Sequence, residues 1–140
     1  MSTFITPEVK AKRAANLKEA EERMETLRKN EVSRFFEEGI PEFCKEVEEA
    51  TIDEYLAKGE LPDTICVYDY NRLITQAVAD SHSCREALLE RLQSLEEKIC
   101  SVEFNYTEPN PWVATPNPCI RLLLQQPGVA GNSLANMASL

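Results

Sequence analysis

Glycine is scarce in this chain, with four among 140 residues, and none stands in a Gly-x-Gly-x-x-Gly or Gly-x-x-x-x-Gly-Lys-Ser/Thr run. Such runs let backbone N–H groups close around phosphates, so no nucleotide cradle is expected. Histidine is scarcer still: His82 stands alone. A zinc site needs several ligands converging, and Asp80-x-His82 supplies two at most. The five cysteines, Cys44, Cys66, Cys84, Cys100 and Cys119, contain no Cys-x-x-Cys pair, and no Asp-x-Asp-x-Asp-Gly calcium loop occurs. The expectation is therefore no metal and no cofactor. Long apolar runs are missing too. No window approaches the roughly 20 residues that a membrane helix needs, and MSTFITPEVK has no signal-peptide core. An odd cysteine count without a signal predicts free, mostly buried thiols in a reducing, intracellular compartment.

What the chain has is charge. The hydrophobic fraction is 43% and the charged fraction 28%, which argues for a folded chain rather than general disorder. The formal net charge is −9, so the average surface repels nucleic acid, and no nucleic-acid partner is expected. That charge is unevenly placed. Between Lys10 and Arg34 stand eight basic residues and five acids; between Glu37 and Glu54 stand eight acids and one base, Lys45. Such neighbours can attract each other between chains, or simply form two solvated helix faces.

Thr6-Pro7-Glu8 opens a helix: threonine can cap, proline is tolerated at the first helical position, and an acid suits the positive end of the dipole. No glycine or further proline follows until Gly39. Leu17, Ala20, Met24 and Leu27 make a narrow seam at coiled-coil spacing, but the same frame puts Lys10, Arg13, Glu31 and Arg34 at seam positions. A self-sufficient coiled coil needs three or four heptads, so the seam reads as a docking face. From Val32 the stripe broadens through Phe35, Phe36, Ile40, Phe43 and Val47. Gly39-Ile40-Pro41 predicts a break or kink, with Pro41 restarting the helix. Ile52, Tyr55 and Leu56 share a face, and Gly59 is a C′ stop.

After Leu61-Pro62-Asp63, residues 64–70 read as a strand. Asn71 predicts the cap of a short helix, and Ser83 with Glu86 predicts a capping box opening another, with Leu88, Leu92, Leu95 and Ile99 on one face. Val102, Phe104 and Tyr106 alternate with polar residues, as do Ile120, Leu122 and Leu124 with their neighbours, giving two strands expected to pair antiparallel. Between them a loop holds Trp112 among Pro109, Pro111, Pro116 and Pro118. A proline-held tryptophan is a candidate interface anchor; the alternative is that it folds back to cap the sheet. The predicted architecture is α+β, in the order α-α-β-α-β-β: a helical arm at residues 1–31, a compact body at 32–125 with three strands and helices on one face, and a flexible uncharged tail at 126–140.

Ser81-His82-Ser83-Cys84 is the one place where nucleophile and base crowd together. A Cys–His pair can form a reactive thiolate, with Asp69 or Asp80 as a third group. Against it, the side chains leave a helix start two residues apart and no Gly-rich turn offers an oxyanion hole; the competing reading is a polar cap with Cys84 packed inward. Glu46, Glu48, Glu49, Asp53 and Glu54 read as a solvated acidic face, with nothing apolar around them to raise a pKa.

The layout from Ile52 to Gly59, then Ile65–Tyr68, a helix, Val102–Tyr106 and Ile120–Leu124, resembles the small α/β proteins encoded by large double-stranded DNA viruses, some of them minor virion components. The resemblance covers residues 32–125 and lies in arrangement; it implies a structural or packing role and assigns no functional residue. The expected function is a non-enzymatic interaction protein, homo- or hetero-oligomeric with protein subunits and without a membrane partner. Its candidate interface residues are Leu17, Met24, Leu27 and Trp112. The alternatives are an adaptor binding a protein or peptide through the sheet edge and the Trp112 loop, and a small thiol enzyme centred on Cys84.

Overall fold

The computed structural model of the protein describes residues 4–125, and the expected tail lies outside them. The first helix, α1, runs Pro7–Arg34. It starts as its sequence predicts: Thr6 Oγ1 accepts the Val9 N–H at 3.3 Å, and Pro7 occupies the first turn. At 1.5 Å per residue it is about 42 Å long, and it has no buried residue.

Of the break or kink expected at Gly39–Pro41, the break does not occur. The helix instead widens into one π turn, Phe35–Gly39, and continues as α2, Ile40–Lys58. The Ile40 N–H reaches back five residues to the Phe35 carbonyl. Widening the turn in this way lets the chain take in Pro41, which lacks an N–H and would crowd the carbonyl four residues earlier, without ending the helix. Gly39 is needed for a second reason. A Cβ there would lie 2.7 Å from Phe35 Cδ1, so the ring can lie against its own helix only over a glycine. Gly59 ends α2 as expected, in the left-handed conformation at φ 76°, with its N–H on the Tyr55 carbonyl at 2.7 Å.

The remaining elements are β1 (Thr64–Tyr68), α3 (Gln76–Ala79), α4 (His82–Leu95), β2 (Ile99–Asn105) and β3 (Cys119–Leu124). They form the α+β body predicted from the pattern, with three strands in the order β1-β3-β2 and both pairings antiparallel. Three local expectations shift. The cap of α3 is Thr75, whose Oγ1 accepts the Val78 N–H at 3.4 Å, rather than Asn71. The cap of α4 is Ser81, which accepts the Cys84 N–H at 3.2 Å, two residues before the expected Ser83. Ile99 opens β2 instead of completing the α4 stripe.

Alternation sorts the sheet residues. Ile65, Val67, Val102, Ile120, Leu122 and Leu124 face the helices and are buried. The opposite face carries Cys66, Tyr68, Glu103, Asn105 and Arg121, with Glu103 directly across from Arg121. Phe35 links helix to sheet at the centre of the core. Its ring lies 6.1 Å from that of Phe43 on α2 and 5.6 Å, edge-on, from that of Phe104 on β2.

Candidate interaction surface

The seam predicted on α1 forms one continuous stripe. Leu17, Met24 and Leu27 are each about half exposed (46%, 50% and 50%), and Ala20 between them is partly covered. The helix is held by its cap and by surface ion pairs, Glu19–Arg23 at 3.9 Å, Glu25–Arg28 at 3.8 Å and Arg34–Glu38 at 3.2 Å. Exposed pairs of this kind contribute about 0–1 kcal/mol each. In most proteins a helix is stabilised by burying an apolar face, whereas α1 has no fully buried residue and packs on the core only through partly buried Val32 in its last turns.

Where α1 meets the body it forms a groove with α3 and the end of β2. The arm side is Met24, Leu27 and Val32; the body side includes Ala77, Asp80 and Tyr106, around a volume of about 1050 Å³. The stripe therefore begins in a groove and runs outward onto the free helix. No sequence pattern pointed to this groove, because its second wall comes from residues more than forty positions downstream of the arm.

A second apolar area lies at the far end of α2. Ile52, Tyr55 and Leu56 share a face, as expected, but that face is exposed, and Leu95 of α4 is exposed beside them. A cleft of about 330 Å³ between α2 and α4 is floored by Val47, Leu92 and Ile99.

Trp112 does not fold back onto the sheet: it is 90% exposed. Asn110 holds the loop in that form, with Oδ1 accepting the Trp112 N–H at 2.9 Å and its carbonyl accepting the Val113 N–H at 3.2 Å. The structure brings Leu17, Met24 and Leu27 together on one face and leaves Trp112 on a separate loop.

The nucleophile–base cluster is not assembled. Cys84 is fully buried in the core, where burial pushes its thiol pKa up. His82 points to solvent, its Nδ1 at 2.7 Å from the Arg85 guanidinium and its Nε2 at 3.6 Å from Glu86. Neither proposed third group serves it. Asp80 Oδ1 accepts from Gln76 Nε2 at 2.9 Å. Asp69 is buried, and its two oxygens accept the N–H groups of Leu73 at 3.0 Å and Ile74 at 2.6 Å. Asp69 is a structural staple that sequence reasoning did not find. It folds residues 70–74 back on themselves, with Arg72 at the left-handed φ of 54° in the turn. Among the described residues no three His, Cys, Asp or Glu side chains converge in a way that could hold a metal ion. Nor is any helix among them long and apolar enough to cross a membrane.

The acidic face is not uniformly solvated. Glu46 is partly buried, and burial pushes its pKa up, helped by the neighbouring charges of Glu42, Asp69 and Glu49. A carboxyl that binds its proton more tightly when folded favours the folded state below the ordinary carboxylate range. That contribution is lost as pH rises through the raised value. Glu46→Gln should therefore melt higher than the parent chain at about pH 7. The gap should close as pH falls below the ordinary glutamate range, where both side chains are neutral. Thermal melts across that range check this, and a variant that melts lower at neutral pH would contradict it.

The cysteines are all free; Cys44, Cys84 and Cys119 are buried, while Cys66 and Cys100 are exposed. Cys66 sits diagonally across the β1–β3 ladder from Cys119, and burial together with a hydrogen bond to Cys119 raises its thiol pKa. The chain matches no protein-family model, no curated protein and no solved structure.

Proposed function

We propose that this protein is an interaction module whose body presents α1 as a docking helix for a protein subunit. The observation that carries this reading is a 28-residue helix with an apolar stripe and no buried residue. A contiguous apolar stripe rimmed by charge, on a helix with no buried residue, is a surface that a partner can cover. The polar rim of α1 also suits a helix that is partly covered rather than fully enclosed. A structural place in a larger assembly, such as a virion, follows from the layout resemblance and agrees with a docking role.

The test separates docking from folding. Leu17→Asp, Met24→Asp and Leu27→Asp in one chain remove the stripe without touching the core. The triple variant should keep the near-ultraviolet circular dichroism of the body, since none of the three side chains belongs to the core. It should fail to enter the assembly that the parent chain forms in its source cells. A triple variant that assembles normally would end this reading.

A second reading rests on Trp112. An aromatic side chain 90% exposed, on a loop whose backbone Asn110 holds, is a candidate hot spot for a protein or peptide ligand at the sheet edge. Here Trp112→Ala, and not the α1 variant, should abolish binding.

A further inference from the structure

We propose that the subunit covering α1 is a second copy of this chain, lying antiparallel with Glu22 of each helix level with the two-fold axis. The proposal rests on the reading of α1 as a docking helix and names its partner.

The seam positions from Arg13 to Glu31 are Arg13, Leu17, Ala20, Met24, Leu27 and Glu31, separated by steps of four, three, four, three and four. An alternating three–four series of this kind permits an isologous antiparallel pair, and the charged positions decide its orientation and register. In that register Leu17 meets Leu27 of the second copy, and Ala20 meets Met24. Of the four charged seam residues, the inner two then face each other as opposite charges, Arg13 against Glu31, once at each end, while the outer two, Lys10 and Arg34, meet as like charges. A parallel pair would instead set Arg13 on Arg13 and Glu31 on Glu31. Charged seam residues thus select orientation and register at some loss of stability.

The groove agrees with this arrangement. In the antiparallel register the first turns of the second copy come level with residues 31–37, where α1 meets the body. Those turns carry Lys10, Lys12 and Arg13. The body wall of the groove presents Asp80 and Glu108, and the arm side presents Glu25 and Glu31 beside Arg28 and Lys29, so four acids face two bases. Lys10 comes level with Arg34, but Arg34 is already held by Glu38 at 3.2 Å. The like charges nearest the axis, Glu21 with its own copy and Arg23 with its own copy, lie at the rim, and Arg23 is paired with Glu19. At the rim they are screened and count for less than the seam.

Sedimentation equilibrium of the full chain over a wide concentration range tests the pairing. A reversible monomer–dimer equilibrium is expected. Arg13→Glu alone and Glu31→Arg alone should each weaken dimerisation about tenfold, because each change turns two attractive pairs into two repulsive ones. The double variant should recover to within about threefold of the parent. Circular dichroism of each variant confirms that the helix is retained. A dimer indifferent to the single changes, or a double variant that is not rescued, overturns the antiparallel register. A monomer at every concentration overturns self-pairing, and scattering from that monomer then separates the two claims. An extended arm leaves the docking reading intact with a different partner, while an arm folded onto its own body removes both.

Discussion

Phe35→Ala should lower the unfolding free energy by about 3–5 kcal/mol, the range for emptying a fully buried aromatic site. For a chain of this size that corresponds to a melting temperature lower by roughly 10–25 °C. The effect is expected at the upper end of large-to-small changes because of where the ring sits. Phe35 is fully buried, contacts the rings of Phe43 and Phe104, and lies in the gap left by the missing Cβ of Gly39. It is the residue at which a solvent-exposed helix becomes part of the core. Losing it leaves a cavity lined by helix and sheet together, and both are too constrained to collapse fully into it. Denaturant unfolding of the variant measures the loss directly; a change below about 1.5 kcal/mol would mean that the ring is not the central contact.

Asp69→Ala should cost about 2–4 kcal/mol, a loss out of proportion to the size of the side chain. The carboxylate is buried and accepts two backbone N–H groups, those of Leu73 and Ile74. Leu73 and Ile74 are themselves core residues, so their N–H groups have no ready access to water once the acceptors are gone. Asp69→Asn is the informative companion. It keeps one acceptor oxygen but presents an NH2 to the other N–H, so it should recover only part of the loss. Comparing the three chains by chemical denaturation checks the ordering parent, Asn, Ala. If asparagine were as stable as the parent, the charge of the staple would be irrelevant to the turn.

Much of the fold was legible because strong local signals agreed with one another. Thr6-Pro7 marked the start of α1, Gly59 marked the end of α2, and alternation marked β2 and β3. The π turn was not foreseen, although the sequence carries its trace. Apolar core positions fall at Phe35 and then Ile40, a step of five where a regular helix gives three or four. A glycine and a proline at that point read most simply as a break, because tertiary packing of Phe35, which decides the outcome, is invisible locally. Asp69 was equally hidden: a single acid after a strand looks like a turn residue, and only the folded chain shows it buried. The shifted caps at Thr75 and Ser81 reflect competition among neighbouring polar residues, all of which can cap.

The surface divided the same way. The stripe Leu17–Leu27 followed from spacing alone, and so did its brevity. The groove that receives one end of it did not, since Ala77, Asp80 and Tyr106 reach that place through the β-sheet and α3. The acidic face of α2 read as uniformly solvated, yet Glu46 is partly buried, and that burial, with the charges of Glu42, Asp69 and Glu49 nearby, holds its proton more tightly.

Hydrogen exchange on the full chain tests the central claim most directly, that α1 ahead of its last turn is not packed against its own body. At concentrations where the chain is monomeric, the amides from Val9 to Asn30 should exchange far faster than those of α4, whose Leu88 and Leu92 are buried. They should become protected as the chain is concentrated or assembled. Protection of α1 equal to that of α4 in the dilute monomer would contradict the account, because it would mean that the helix is already packed.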